Sequence, residues 1–179
     1  MTAVSPCNDM NANTPVEIER KFLIYMPDIA ALESFEGVRV KYIEQTYLDC
    51  EEGKNARVRR IVEGERESFV KTVKQRISTL SAFEEEYEID AASYREELKS
   101  ASADKQTIVK TRYCIPFEDH VIEIDVYPFW SDRAILEVEL ASEDESFSLP
   151  DCLHIIKEVS EDKRYKNTNL AKEIPCDEI

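Results

Sequence analysis

Glycine is scarce in this chain: only Gly37, Gly53 and Gly64 occur in 179 residues. That excludes a glycine-rich phosphate loop and a dinucleotide fingerprint, both of which need several closely spaced glycines. Histidine is scarcer still, and neither His120 nor His154 has a nucleophile or ligand partner nearby in sequence. The five cysteines are widely spaced and form no C-x-x-C pair. This excludes a zinc ribbon, makes a disulfide framework a poor fit and points to a reducing cytoplasm. No apolar run is long enough to cross a membrane, and residues 1–15 lack the basic start and apolar stretch of a secretory signal. Basic residues are outnumbered 23 to 38 by acidic ones, giving a net charge of −15. Long-range attraction to nucleic acid or an anionic membrane is thereby excluded, and any anion site must be a local basic patch.

What is present is mostly strand. Residues 1–15 are polar and read as a disordered leader, residues 16–174 as one domain and 175–179 as a tail. Strands are expected at Val16–Tyr25, Val38–Asp49, Asn55–Val62, Ser68–Arg76, Ala82–Ile89, Gln106–Ile115, His120–Tyr127 and Ala134–Leu140. Short helices are expected at Asp28–Phe35, after Pro27, and at Ser93–Ser102. A third is expected after Pro150, on the apolar positions Leu153, Ile156 and Val159, and residues 162–171 read as a loop with a short helical turn. Eight antiparallel strands with few helices imply an α+β protein built on a closed barrel or strongly curved sheet.

The charged residues alternate where apolar ones ordinarily would. Glu17, Glu19 and Lys21 share one face of a strand, as do Arg57 with Arg59, Lys110 with Arg112, Glu123 with Asp125 and Glu137 with Glu139. Members of each pair lie about 7 Å apart. A solvated face ordinarily intermixes acids and bases, which keeps cross-strand pairs favourable. Here like charges repeat, and they oppose stability unless divalent cations satisfy the carboxylates and phosphate oxygens satisfy the bases. A charged interior built for a polyanion and its metal ions fits this pattern; single solvated pairs remain the alternative at each position.

The same residues form an ordered set. Glu17-Ile18-Glu19-Arg20-Lys21-Phe22-Leu23 resembles the E-x-E-x-K opening strand of the CYTH domain, or triphosphate tunnel metalloenzyme, superfamily. Arg57-Val58-Arg59-Arg60, Thr72-Val73-Lys74, Glu86-Tyr87-Glu88-Ile89, Lys110-Thr111-Arg112-Tyr113, Glu123-Ile124-Asp125-Val126-Tyr127 and Leu136-Glu137-Val138-Glu139-Leu140 follow in the family's order. Arg164 to Ala171 resembles the closing motif of the short bacterial members. The resemblance implies an eight-stranded antiparallel barrel forming a tunnel, Mg²⁺ or Mn²⁺ as cofactor and a small-molecule triphosphate or polyphosphate as substrate. The opening run most resembles the inorganic triphosphatase branch. Adenylyl cyclase, nucleoside or thiamine triphosphatase, and a non-catalytic polyphosphate-binding module are the alternatives. A homodimer is an open alternative to the monomer.

Analogy and strand parity together assign Glu17, Glu19 and Glu139 to a first metal, with Glu137 and Asp125 next. Arg57, Arg59, Lys74 and Arg112 are expected to grip phosphate, assisted by Lys21 and Lys110; cross-strand pairing with Glu84, Glu86 or Glu88 is the competing role. Glu17, Glu19, Lys21, Arg59 and Glu139 form the expected catalytic set. Glu86, Glu88 and Glu123 support the basic residues, the first two with a second ion as their alternative. Tyr165 either reaches the tunnel mouth or anchors the core. Arg60 and Lys71 have the opposite parity and read as outward. Ala82 stands where members often carry Arg, which weakens the basic side unless Arg76 or Lys71 substitutes.

Overall fold

The computed structural model describes residues 16–51, 54–76 and 81–179. The expected leader at residues 1–15 lies outside them. Nine strands form one antiparallel sheet: β1 (Val16–Tyr25), β2 (Arg39–Leu48), β3 (Lys54–Glu63), β4 (Arg66–Arg76), β5 (Ser81–Ile89), β6 (Ile108–Phe117), β7 (His120–Val126), β8 (Arg133–Leu140) and β9 (Ile155–Glu158). Their order is β5-β4-β3-β2-β6-β7-β8-β1-β9. Among the described residues three short α-helices accompany them: α1 (Ile29–Glu33), α2 (Ala91–Glu97) and α3 (Asn167–Leu170). The Asp28 and Asp90 carboxylates cap α1 and α2, accepting from Ala30 N at 3.0 Å and Ser93 N at 2.7 Å.

Two expectations are corrected. The sheet has nine strands, not eight, and it is not a cylinder laddered all the way round. Its ends meet where Val16–Ile18 pairs with Ser81–Phe83, three residue pairs only. Further along the same edge of β1, β9 pairs with Phe22–Ile24. Residues 155–158 are therefore strand, not the helix expected after Pro150. The Leu153, Ile156 and Val159 triplet does not line one helix face. Leu153 packs in one core, Val159 in another with Ile156 packed against it. The open edge of β1 supplies the hydrogen-bonding partners that local periodicity could not reveal.

Polarity across the sheet is inverted relative to a typical half-buried sheet. One core gathers the outward residues of β1, β6, β7 and β8, including Phe22, Ile24, Ile115, Ile124, Leu136 and Val138, under Leu32 of α1. A second covers Leu48, Ala56 and Val58 with Tyr94 of α2. Each fully buried Leu, Ile or Val contributes about 1.5–3 kcal/mol. Arg60 and Lys71 point outward as expected, Arg60 to Glu67 at 2.7 Å and Lys71 to Glu97 on α2 at 2.5 Å. The inward positions carry most of the charged residues, interspersed with Ile43, Gln45, Ile61, Val70 and Thr72, and a third apolar cluster fills one end. There Leu23, Tyr47, Ile108, Tyr127 and Ile135 meet Trp130, Tyr165, Leu170 and Ala171. This C-terminal plug closes one end of the inner face.

Candidate functional site: the charged inner face

Strand register places the charges. Lys21 lies opposite Glu137, Glu19 opposite Glu139, Glu123 opposite Glu137 and Arg112 opposite Asp125. Lys21, Lys110, Asp125 and Glu137 are each less than 10% exposed. Burial on this scale is tolerable only because every charge is paired. Arg112 donates through Nε to Asp125 Oδ1 at 2.6 Å and through Nη2 to Glu137 at 2.7 Å. It also bonds Glu123. Lys110 Nζ reaches Asp125 Oδ2 at 2.5 Å, and Lys21 Nζ reaches Glu137 at 2.6 Å. Six expected site residues thus form one network.

The network sets its own protonation. Burial alone would raise the Asp125 and Glu137 carboxyls, yet Arg112 and Lys110 hold Asp125 below the ordinary range, and Lys21 and Arg112 hold Glu137 well below it. Lys110 goes the other way: burial and the neighbouring Arg112 push it down to about 8, despite Asp125. Tyr127 lies against this network, its hydroxyl donating to Asn167 Oδ1 at 2.8 Å and lying 3.4 Å from Asp125.

The β2–β5 wall carries the other bases. Arg57 lies opposite Tyr47 and Thr72, and Lys74 opposite Asn55. Arg59 donates to Thr72 Oγ1 at 3.1 Å and pairs with Glu86. Burial raises the Tyr47 hydroxyl, and Arg57, Lys21 and Arg59 each partly offset that, so cations of both walls converge on it. Glu88 is turned to the rim, 3.4 Å from Arg66. Tyr165 belongs to the plug and not to the mouth: it is 1% exposed and donates to Asp177 at 2.7 Å. Asp177 also accepts from Lys157 at 2.8 Å and Arg164 at 2.7 Å, fastening the segment read as a tail.

The carboxylates divide into two groups. Asp125 and Glu137 are spent on cations. Glu139 is exposed and Glu19 half-buried, the two directly opposite each other, and only Lys21, 3.7 Å from Glu19, pairs with either among the described residues. Opposed like charges are destabilising on a sheet. Two all-oxygen ligands in this state fit a hard divalent cation, which takes few protein carboxylates and completes its shell with water and phosphate. The described residues contain no group of three or more metal-ligand side chains. The side chains of Glu17, Arg76 and Ala82 lie outside the described residues, so those expectations rest on sequence alone. Lys71, engaged outward by Glu97, does not replace the missing Arg.

Sequence reasoning missed Gln45, Thr72 and Lys41 on the inner face. Gln45 and Thr72 are each 1% exposed, and their parity with Tyr47 and Lys74 would have placed them. The four cysteines among the described residues are free, and no helix among those residues is long and apolar enough to cross a membrane.

The CYTH domain family model matches residues 15–172. An inorganic triphosphatase from Nitrosomonas europaea is 36% identical over 93 residues, which are 51% of this chain and 62% of that protein. The match thus spans less than two thirds of that relative. A solved structure of an inorganic triphosphatase superposes with a TM-score of 0.55 at 31% identity, covering 89% of this chain and 96% of that one. A Pyrococcus horikoshii protein aligns with a TM-score of 0.55 at 24% identity over 72% of this chain and 80% of its own, a likeness of fold.

Proposed function

This chain belongs to the CYTH domain family, and from that premise we infer that it hydrolyses the terminal phosphoanhydride of a linear triphosphate, inorganic tripolyphosphate in particular. The observation that carries this reading is the division of labour on the inner face: a buried cation cradle beside two opposed carboxylates that share one lysine. Inorganic triphosphatases among the similar proteins support it. Residues 16–174 act as one domain in the cytoplasm, and the short β1–β5 seam completes a tunnel around the substrate.

Arg57, Arg59, Lys74, Lys110 and Arg112 hold the phosphate chain. Guanidinium forks match pairs of phosphate oxygens, and the fixed positions of these groups cost no reorganisation during reaction. Asp125, Glu137 and Glu123 keep Arg112 and Lys110 in place and are anchors for the bases, a role that replaces metal ligation for Asp125 and Glu137. Glu86 does the same for Arg59. Glu17, Glu19 and Glu139 hold Mg²⁺ or Mn²⁺, and Lys21 bridges the two carboxylate groups. When bound, the cation offsets charge developing on the terminal phosphoryl group. In-line attack by water is then a matter of placement.

Phosphate release from tripolyphosphate, with and without Mg²⁺ or Mn²⁺, tests the reading. Arg59→Ala and Glu19→Ala should each abolish metal-dependent release. Near wild-type turnover in both, with circular dichroism unchanged, would overturn it.

A further inference from the structure

The family match ends at residue 172, yet the segment beyond it turns back onto the plug. Asp177 there joins β8, β9 and the turn Lys163–Tyr165. Its carboxylate accepts from Lys157 at 2.8 Å, from the Tyr165 hydroxyl at 2.7 Å and from Arg164 at 2.7 Å. Its backbone carbonyl accepts from Arg133 at 2.7 Å. Lys157 and Arg164 both stand over the Tyr165 ring, 5.2 and 5.6 Å from its centre. Two cations gathered on one ring repel unless an anion lies beside them. Asp177 is that anion, and the one carboxylate paired with Lys157 among the described residues. It is also the acceptor for a tyrosine only 1% exposed, and a buried donor left without an acceptor keeps its full desolvation cost.

The turn held in this way leads directly into α3, and α3 touches both walls of the inner face. On one wall, Asn167 accepts at 2.8 Å from the hydroxyl of Tyr127, which also lies 3.4 Å from Asp125 Oδ2. That Asp125 oxygen accepts from Lys110 and Arg112. On the other wall, Thr168 accepts from Asn55 at 3.1 Å, and Asn55 lies across the ladder from Lys74. We propose that Asp177 is a positioning residue: by fixing the turn before α3, it holds Asn167 and Thr168 as a brace that sets the spacing between the Lys110–Arg112 wall and the Arg57–Lys74 wall. This rests on the reading of the inner face as a phosphate cradle and adds to it a control from outside the matched residues.

The test is calorimetric binding of tripolyphosphate to the full chain without divalent metal, at a temperature where circular dichroism shows each variant folded. Asp177→Ala should weaken binding about tenfold, the scale of one displaced charge-assisted contact. In an Asn167→Ala, Thr168→Val background, already without its brace, Asp177→Ala should change affinity by no more than about twofold. Should Asp177→Ala not fold, Asp177→Asn, which keeps the shape and removes the charge, is read in its place. Wild-type affinity in the folded Asp177 variant overturns the proposal, and so does a loss as large in the unbraced background as in the wild type. A wild type that binds no tripolyphosphate removes the phosphate-cradle reading itself, and the brace with it.

Discussion

Carboxylates at two depths of the same inner face live under opposite electrostatic conditions. Asp125 and Glu137, deep and almost dry, are each within 2.7 Å of a cationic nitrogen. Glu19 and Glu139, two residues nearer the mouth, oppose one another where solvent reaches them, Glu139 exposed and Glu19 half-buried, with Lys21 paired to Glu19. Both sets are carboxylates of the same strand parity, so neither charge nor parity distinguishes an anchor from a ligand. Burial does. A buried acid must be neutralised by the protein itself, whereas an exposed one can wait for a solute ion.

The largest effect should come from breaking the deep set. Arg112→Ala strands Asp125 and Glu137 without their shared guanidinium and should cost about 3–5 kcal/mol in urea unfolding, with activity lost. An unfolding midpoint within error of wild type would show that the deep acids do not depend on it. At the rim, Glu139→Gln should leave that midpoint unchanged and lower turnover about a hundredfold, with partial recovery at raised Mn²⁺. A destabilised Glu139→Gln would erase the distinction between the two depths.

The smallest effect concerns pH. Lys110 should lose its charge as pH rises through about 8, so KM for tripolyphosphate should climb by up to roughly tenfold above that value, as expected for one charged contact. Lys110→Arg should flatten the profile. For stability the sign is reversed. Between about 8 and the ordinary lysine value of 10.5 the unfolded chain holds a proton that the folded chain has shed. Stability therefore rises with pH across that window.

Most of the wall was legible because alternation is a local property. β1 occupies the expected Val16–Tyr25, and the inward parity of Arg57, Arg59, Lys110 and Arg112 follows from it alone. What escaped depends on partners distant in sequence. β9 is a strand because β1 offers it an edge more than 130 residues away, marked by the Arg20–Glu158 pair. Tyr165 lies in the plug because Trp130 and Asp177 receive it there. Lys41 escaped for a different reason: its neighbours Val40 and Tyr42 read as an ordinary strand, and only cross-strand register brings it to Arg112.

A protein that keeps its salt inside and its grease outside depends on its wrappers. The outer patch formed by Leu48, Ala56, Val58 and Phe69 is shielded by Tyr94 and Leu98 from one seven-residue helix and the turn after it. During refolding the strands can pair before that wrapper settles, leaving a sticky outer surface on an otherwise native sheet. Refolding yield should accordingly fall with protein concentration, and a chain weakened in α2 should clump well before its inner chemistry is disturbed.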